Sequence, residues 1–175
     1  MKYIDLTQVL FDHMPVYPGD PDVVIKQIHT LEIQGWNLSE LTLSTHIGTH
    51  VNAPIHMTSA GATLSDLPPD RFMGPCVLYK TGITCMPDTG VIFTTQNIDM
   101  VLAEALVKTP PKFIGLSEAF EFDIAVEKYL LEHDIISYEN LTNTDLLPET
   151  FMFYGFPLLI KTGDGSPVRA VAAIE

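Results

Sequence analysis

Ser44-Thr45-His46-Ile47-Gly48-Thr49-His50-Val51-Asn52-Ala53-Pro54-Ile55-His56 is the stretch on which the reading of this chain turns. It holds three of the six histidines within eleven residues. The strand expected to lead into it, Leu38 to Ser44, places Leu41 and Leu43 on one face and Thr42, Ser44 and His46 on the other. If the chain stays extended, His46, Gly48, His50 and Asn52 point the same way, and Gly48 leaves a gap between two imidazoles that an ion can occupy. Pro54 ends the run and fixes a turn that brings His56 round. Two imidazoles beside an amide or carboxylate oxygen form the ligand set of Zn²⁺, Mn²⁺ or Fe²⁺ sites. The alternative for the same residues is a polar face whose histidines bond backbone carbonyls. The hydroxyls of Thr45, Thr49 and Thr58 read as partners of backbone or of ligands.

Outward from this stretch, segments rich in β-branched and aromatic residues recur between turn signals: Tyr3–Leu10, Val23–Thr30, Leu38–Ser44, Cys76–Lys80, Gly90–Thr94, Lys112–Leu116, Ile135–Tyr138, Phe151–Ile160 and Val168–Ile174. Two segments have helical spacing. One runs through Ile98, Val101, Leu102, Ala105 and Leu106, capped by Thr95 or Asn97; the other runs through Val126, Tyr129, Leu130 and His133, capped by Asp123. Each is followed by a strand, so α/β units are expected in the second half after a strand-rich first half. Proline clusters such as Pro15–Pro21 and Pro110-Pro111 punctuate elements without separating domains. One domain over residues 1–175 is the expectation.

The chain is 46% hydrophobic and 18% charged, a mixture that folds rather than one that stays disordered. Its net charge of −13 repels phosphate backbones and anionic bilayers, which argues against nucleic-acid and membrane partners. No apolar run reaches the roughly 18 residues of a membrane span, and Asp5 interrupts any leader-like start. Cys76 and Cys85 lack CxxC spacing and read as small apolar filler in a reducing, cytoplasmic setting. Trp36 fits core or subunit-interface packing equally. Asp164 and Arg169 read as a turn and a buried ion pair near the last strand.

The central stretch resembles the signature H-x-G-T-H-x-D-x-P-x-H of the cyclase-like metal-dependent hydrolases, a family that includes bacterial kynurenine formamidases and isatin hydrolase. Every fixed position fits except Asn52, which stands where the signature has aspartate. The likeness extends to Asp5-Leu6-Thr7, Met14–Pro21, Leu78-Tyr79-Lys80-Thr81-Gly82, Tyr138-Glu139-Asn140-Leu141 and Gly163–Ala170. It implies a layered β/β/α (swivelling) α/β domain, usually a homodimer or homotetramer, acting on a small-molecule substrate. It also implies that His46 and His50 bind metal, that Asn52 occupies a bridging-ligand position, that Glu139 is a further ligand, that His56 is the catalytic acid/base, and that Tyr17 lies against the substrate.

The departures cluster at the site. A family histidine that binds a second metal lies twelve residues before the glutamate; here that position is Glu127, which reads as a solvated helix glutamate or as a ligand for a hard cation. His133 is out of register, Gly115–Phe120 lacks the family's aspartate, and the segment between Gly82 and Val91 is short. Two divalent ions roughly 3.5–4 Å apart need a bridging carboxylate between them. One divalent ion (Zn, Mn or Fe) is therefore expected, serving hydrolysis of a small cyclic or linear amide, formamide or lactone. The alternative is a degenerate relative that binds metal or ligand without catalysis.

Overall fold

The computed structural model describes residues 1–80 and 86–174. Thr81, Gly82 and Cys85, on which parts of the sequence reading fall, lie outside them, as does much of the shortened segment after Gly82. In chain order the elements are β1 (Lys2–Asp5), β2 (Val24–His29), the single-turn α1 (Leu31–Gln34), β3 (Leu38–Thr42), β4 (His50–Asn52), β5 (Met73–Leu78), β6 (Gly90–Phe93), α2 (Met100–Lys108), β7 (Phe113–Ser117), α3 (Ile124–Glu132), β8 (Ile136–Leu141), β9 (Thr150–Tyr154), β10 (Gly165–Pro167) and β11 (Val171–Ile174). The architecture is mixed α/β, as expected.

Among the described residues a nine-stranded sheet runs in the order β1-β11-β9-β5-β6-β7-β8-β4-β10, and β2 and β3 form a separate hairpin. Strands β5 to β8 are parallel neighbours, and the remaining pairings are antiparallel. The helices connect the parallel strands, as a parallel crossover requires. Val91, Phe93, Ile114 and Leu116 face one side, where they pack with Ala103 and Leu106 of α2 and Val126 and Leu130 of α3. The alternate residues Ile92 and Phe113 face the other side, in a core with Tyr138 and Phe153. Phe153 lies wholly buried, its ring centroid 5.0 Å from Phe113 and 4.8 Å from Tyr138.

The sheet curls until its two halves meet. Leu6, just past β1, donates its N–H to Ala170 O at 2.9 Å and accepts from Thr142 N–H, just past β8, at 3.0 Å. Gln8 N–H donates to Thr49 Oγ1 at 2.8 Å, beside β4. Ile4 and Leu6 thereby share one core with Val51 and Tyr138. This closure explains why β1 stops at Asp5 instead of reaching Leu10: the chain leaves the ladder to cross the opening. β9 likewise stops at Tyr154, before Gly155 and Pro157.

Helix α3 begins as the sequence predicts, with Asp123 Oδ1 accepting from Ala125 N–H at 2.8 Å. Helix α2 does not. Asp99, not Thr95 or Asn97, is the cap, accepting from Leu102 N–H at 2.8 Å, and Ile98 is buried ahead of the helix. An aspartate at the boundary satisfies an orphan amide and favours the positive end of the helix. Trp36 is exposed, with its ring edge-on to His29, so its core reading fails. Cys76 is buried in the main core. No helix among the described residues is long and apolar enough to cross a membrane.

Candidate metal centre

The site is assembled on a short antiparallel ladder. β4 pairs with β8 so that His50 faces Glu139 and Asn52 faces Ser137, while Gly165 of β10 pairs with Asn52 from the other side. Directly opposed residues share a face, and so do residues two apart. His50, Asn52, Ser137 and Glu139 therefore converge without any special loop.

The approach to this ladder is not the extended ribbon expected from sequence. β4 contains only His50 to Asn52, and Gly48 adopts φ +60°. A Cβ there would lie 2.8 Å from Leu10 Cδ2. Glycine is needed for a left-handed turn under a close neighbour, not to leave room for an ion. The turn aims Gly48 O at His50 Nδ1–H, 2.8 Å, and at Asn140 Nδ2–H, 3.1 Å. The carbonyl forces the proton onto Nδ1, so the Nε2 lone pair of neutral His50 points at Glu139 Oε1, 3.3 Å away.

His46 enters from the turn, its ring packed over Gly165, where a Cβ would collide with it. Its Nδ1 lies 2.7 Å from Asn52 Oδ1 and its Nε2 3.0 Å from Asp164 Oδ2. The helical turn Pro54–His56 swings His56 over His46, with ring centroids 3.9 Å apart, and leaves His56 Nδ1 3.8 Å from Asp164 Oδ2. Asp164 is held by Thr45 Oγ1–H, which donates to Oδ1 at 3.0 Å. The sequence reading missed Asp164 as part of the site. Its expected partner Arg169 instead forms a surface pair with Asp5, at 3.0 and 2.6 Å. The pairing of β10 with β4, extended by Ala53 N–H donating to Asp164 O at 2.8 Å, carries Asp164 to the histidines, although the resemblance covers its segment only as a whole.

Asn52 is fully buried behind the cavity wall. Its two amide hydrogens go to two carboxylates: Nδ2 donates to Glu127 Oε1 at 2.5 Å and to Glu139 Oε1 at 2.7 Å. Glu127 is thus no solvated helix glutamate. It is buried, and Ser137 Oγ–H also donates to it at 2.8 Å. The α3 spacing that turns Val126 and Leu130 to the core turns Glu127 toward the sheet between them.

Burial, reinforced by the charge of Glu139, pushes the Glu127 carboxyl up to about 7. For Glu139 burial acts the same way, but the bond and charge of His50 outweigh it and hold the carboxyl below its usual range. Burial would lower His50, yet Glu139 raises it on balance. His56 is lowered, first by burial and then by His46. Glu127 therefore keeps its proton in the native state while the unfolded chain releases it near 4.5. His50 acts in the same direction, holding its proton in the native state above the ordinary 6.5. In chelator the contribution of these two groups should fall as pH rises from about 4.5 past 7, while His56, held below its ordinary value, acts in the opposite sense up to about 6.5. Thermal melts of metal-free protein between pH 6.5 and 8, above the span in which His56 opposes, check this; a midpoint that rises over that span contradicts it.

These residues form the end wall of a cavity of about 1170 Å³, which His46, His50, His56, Glu127 and Glu139 line. Tyr17 lines it too, from an exposed loop. His46, His56 and Asp164 also present ligand atoms within 4.8 Å of one another. A divalent cation suits this donor set. Both ring nitrogens of His46 face oxygen acceptors and His50 Nε2 faces a third, but a neutral imidazole carries only one N–H. The cluster offers more lone pairs than hydrogens, and a cation supplies what is short.

A family model described as "Putative cyclase" matches residues 4–117. Kynurenine formamidase of Salinibacter ruber is 28% identical, with 98% of this chain and 97% of that protein covered. Two solved structures share the fold. Isatin hydrolase A from Ralstonia solanacearum has a TM-score of 0.81 at 19% identity, covering 99% of this chain and 92% of that one. A potential metal-dependent hydrolase with cyclase activity has a TM-score of 0.77 at 22% identity, covering 98% and 96%.

Proposed function

The chain belongs to the cyclase family, and on that premise we propose that it is a hydrolase of small amides, formamides or lactones that uses one divalent ion, Zn²⁺, Mn²⁺ or Fe²⁺. The observation that supports the reading is that His46, His50 and Glu139 line one cavity, with His50 Nε2 3.3 Å from Glu139 Oε1 and His56 stacked on His46. His46, His50 and Glu139 hold the ion. Asn52 has only Oδ1 to offer, because Glu127 and Glu139 take both amide hydrogens. A divalent ion held by these residues would supply Lewis acidity, lowering the pKa of a water and polarising the substrate carbonyl.

His56 is the acid/base. Burial and His46 keep it unprotonated near neutral pH, the state that accepts a proton from the attacking water. Asp164, 3.8 Å from its Nδ1, then favours the imidazolium that must return the proton to the leaving group. Tyr17 gives the substrate an aromatic wall. The kynurenine formamidase and isatin hydrolase relatives support amide bonds as the target.

The test is metal content by elemental analysis, alongside hydrolysis of a panel of aryl formamides, cyclic amides and lactones. Chelation should abolish turnover, and adding back Zn²⁺, Mn²⁺ or Fe²⁺ should restore it. Turnover indifferent to chelator sinks the metal assignment. Bound metal with no turnover of any panel member sinks the catalytic one.

A further inference from the structure

The lining of the cavity carries information about the charge of the substrate it accepts. One side is an apolar and aromatic wall formed by Phe11, Met14, Val16, Tyr17, Phe122 and Ile124. Besides the three histidines of the end wall, the ionisable side chains lining it include Asp20, Glu121, Glu127 and Glu139. None of the nine Lys and Arg residues of the chain lines it. Four of those cations are committed elsewhere, Arg71 to Asp134, Lys80 to Glu149, Lys128 to Glu132 and Arg169 to Asp5.

We infer that this cavity selects substrates by charge: it takes neutral or cationic amides with an apolar or aromatic body and rejects those that carry a carboxylate or phosphate. The inference rests on the proposed hydrolase reading and narrows its substrate class. At the end wall Glu139 stands against a bound divalent ion, while Glu127 keeps its proton up to about 7, so charge selection falls to the rest of the lining. Asp20 and Glu121, both exposed, then set the field toward the mouth. An anionic substituent lying along the apolar wall would leave water without gaining a cationic partner. It would also enter a negative potential on a protein whose net charge is −13. A cationic substituent meets the opposite situation.

The test uses metal-loaded protein and three matched probes: formanilide with a para-methyl, a para-aminomethyl or a para-carboxylate group. Binding of the corresponding acetanilides is titrated by calorimetry, and hydrolysis of the formanilides is followed separately. The carboxylate probe should bind at least about tenfold more weakly than the methyl probe at low salt, and the gap should narrow as salt rises. The aminomethyl probe should bind as well as the methyl probe or better. Glu121→Lys should shift the carboxylate-to-methyl ratio about fivefold or more toward the carboxylate. Equal binding of the carboxylate and methyl probes overturns charge selection, whether or not either is hydrolysed. So does a ratio that Glu121→Lys leaves unmoved. The intact charge order with no hydrolysis of any probe counts against the proposed activity and leaves charge selection standing. Binding of none of the three overturns both.

Discussion

Replacing His56 with alanine is expected to lower kcat by about 10²–10⁴-fold while the protein keeps its full complement of metal. The expectation follows from where His56 sits. It stacks on His46, reaches Asp164 at 3.8 Å and lines the cavity, but it stands off the ladder that joins His50 to Glu139. Proton transfer and metal retention should therefore separate, with kcat falling and metal content by elemental analysis unchanged. Loss of metal together with activity would contradict this division. It would move the ion toward His46, His56 and Asp164, whose ligand atoms also lie close together.

The second large effect is expected from Asn52→Asp. Asn52 now places one N–H against Glu127 and one against Glu139. Aspartate has no hydrogens to give and adds a third buried carboxylate. Leaving a buried charge without its partner costs about 3–5 kcal/mol. In a domain of this size that lowers Tm by roughly 10 °C in chelator. Protonation relieves part of the penalty, since Glu127 titrates near 7, so the drop should be larger at pH 8 than at pH 6. Added divalent metal should reverse it, with tighter binding or a second equivalent bound. Thermal melts with and without metal, together with elemental analysis, measure both arms. An unchanged Tm with unchanged stoichiometry would show that the amide is not what keeps the two glutamates together.

How far the sequence could be read depended on whether a residue's partner was local. The cap of α3 and the strand that follows it are set by near neighbours, and both were legible at Asp123 and Ile136. Apolar runs also located β6 and β7, which are buried on both faces, whereas β5 begins three residues before the expected Cys76 and is only partly buried. The misread features are those set at a distance. Gly48 has the residue type a metal loop would want, but the proximity of Leu10 and the left-handed turn are what require it. Glu127 reads as solvent-facing by composition, and only the fold shows it buried against Asn52 and Ser137. Asp164 and Arg169 are close enough in sequence to suggest a pair, yet each is claimed by a residue more than a hundred positions away. His46, His50 and Asn52 could be grouped from the sequence because their spacing is local, although the extended ribbon expected to align them is broken at Gly48. Glu139 was legible only through resemblance, since its register against His50 is a tertiary fact.

That register ties the order of synthesis to the order of assembly. Asn52 and Glu139 are separated by 87 positions, and His46 and Asp164 by 118. A nascent chain exposes both imidazoles long before any carboxylate that faces them has been made. A ribosome-bound fragment ending ahead of β8 holds two loose histidines, which are poor chelators. On the proposed metal reading, cation capture would belong to the last stage of maturation, after β8 and β10 have closed on either side of β4.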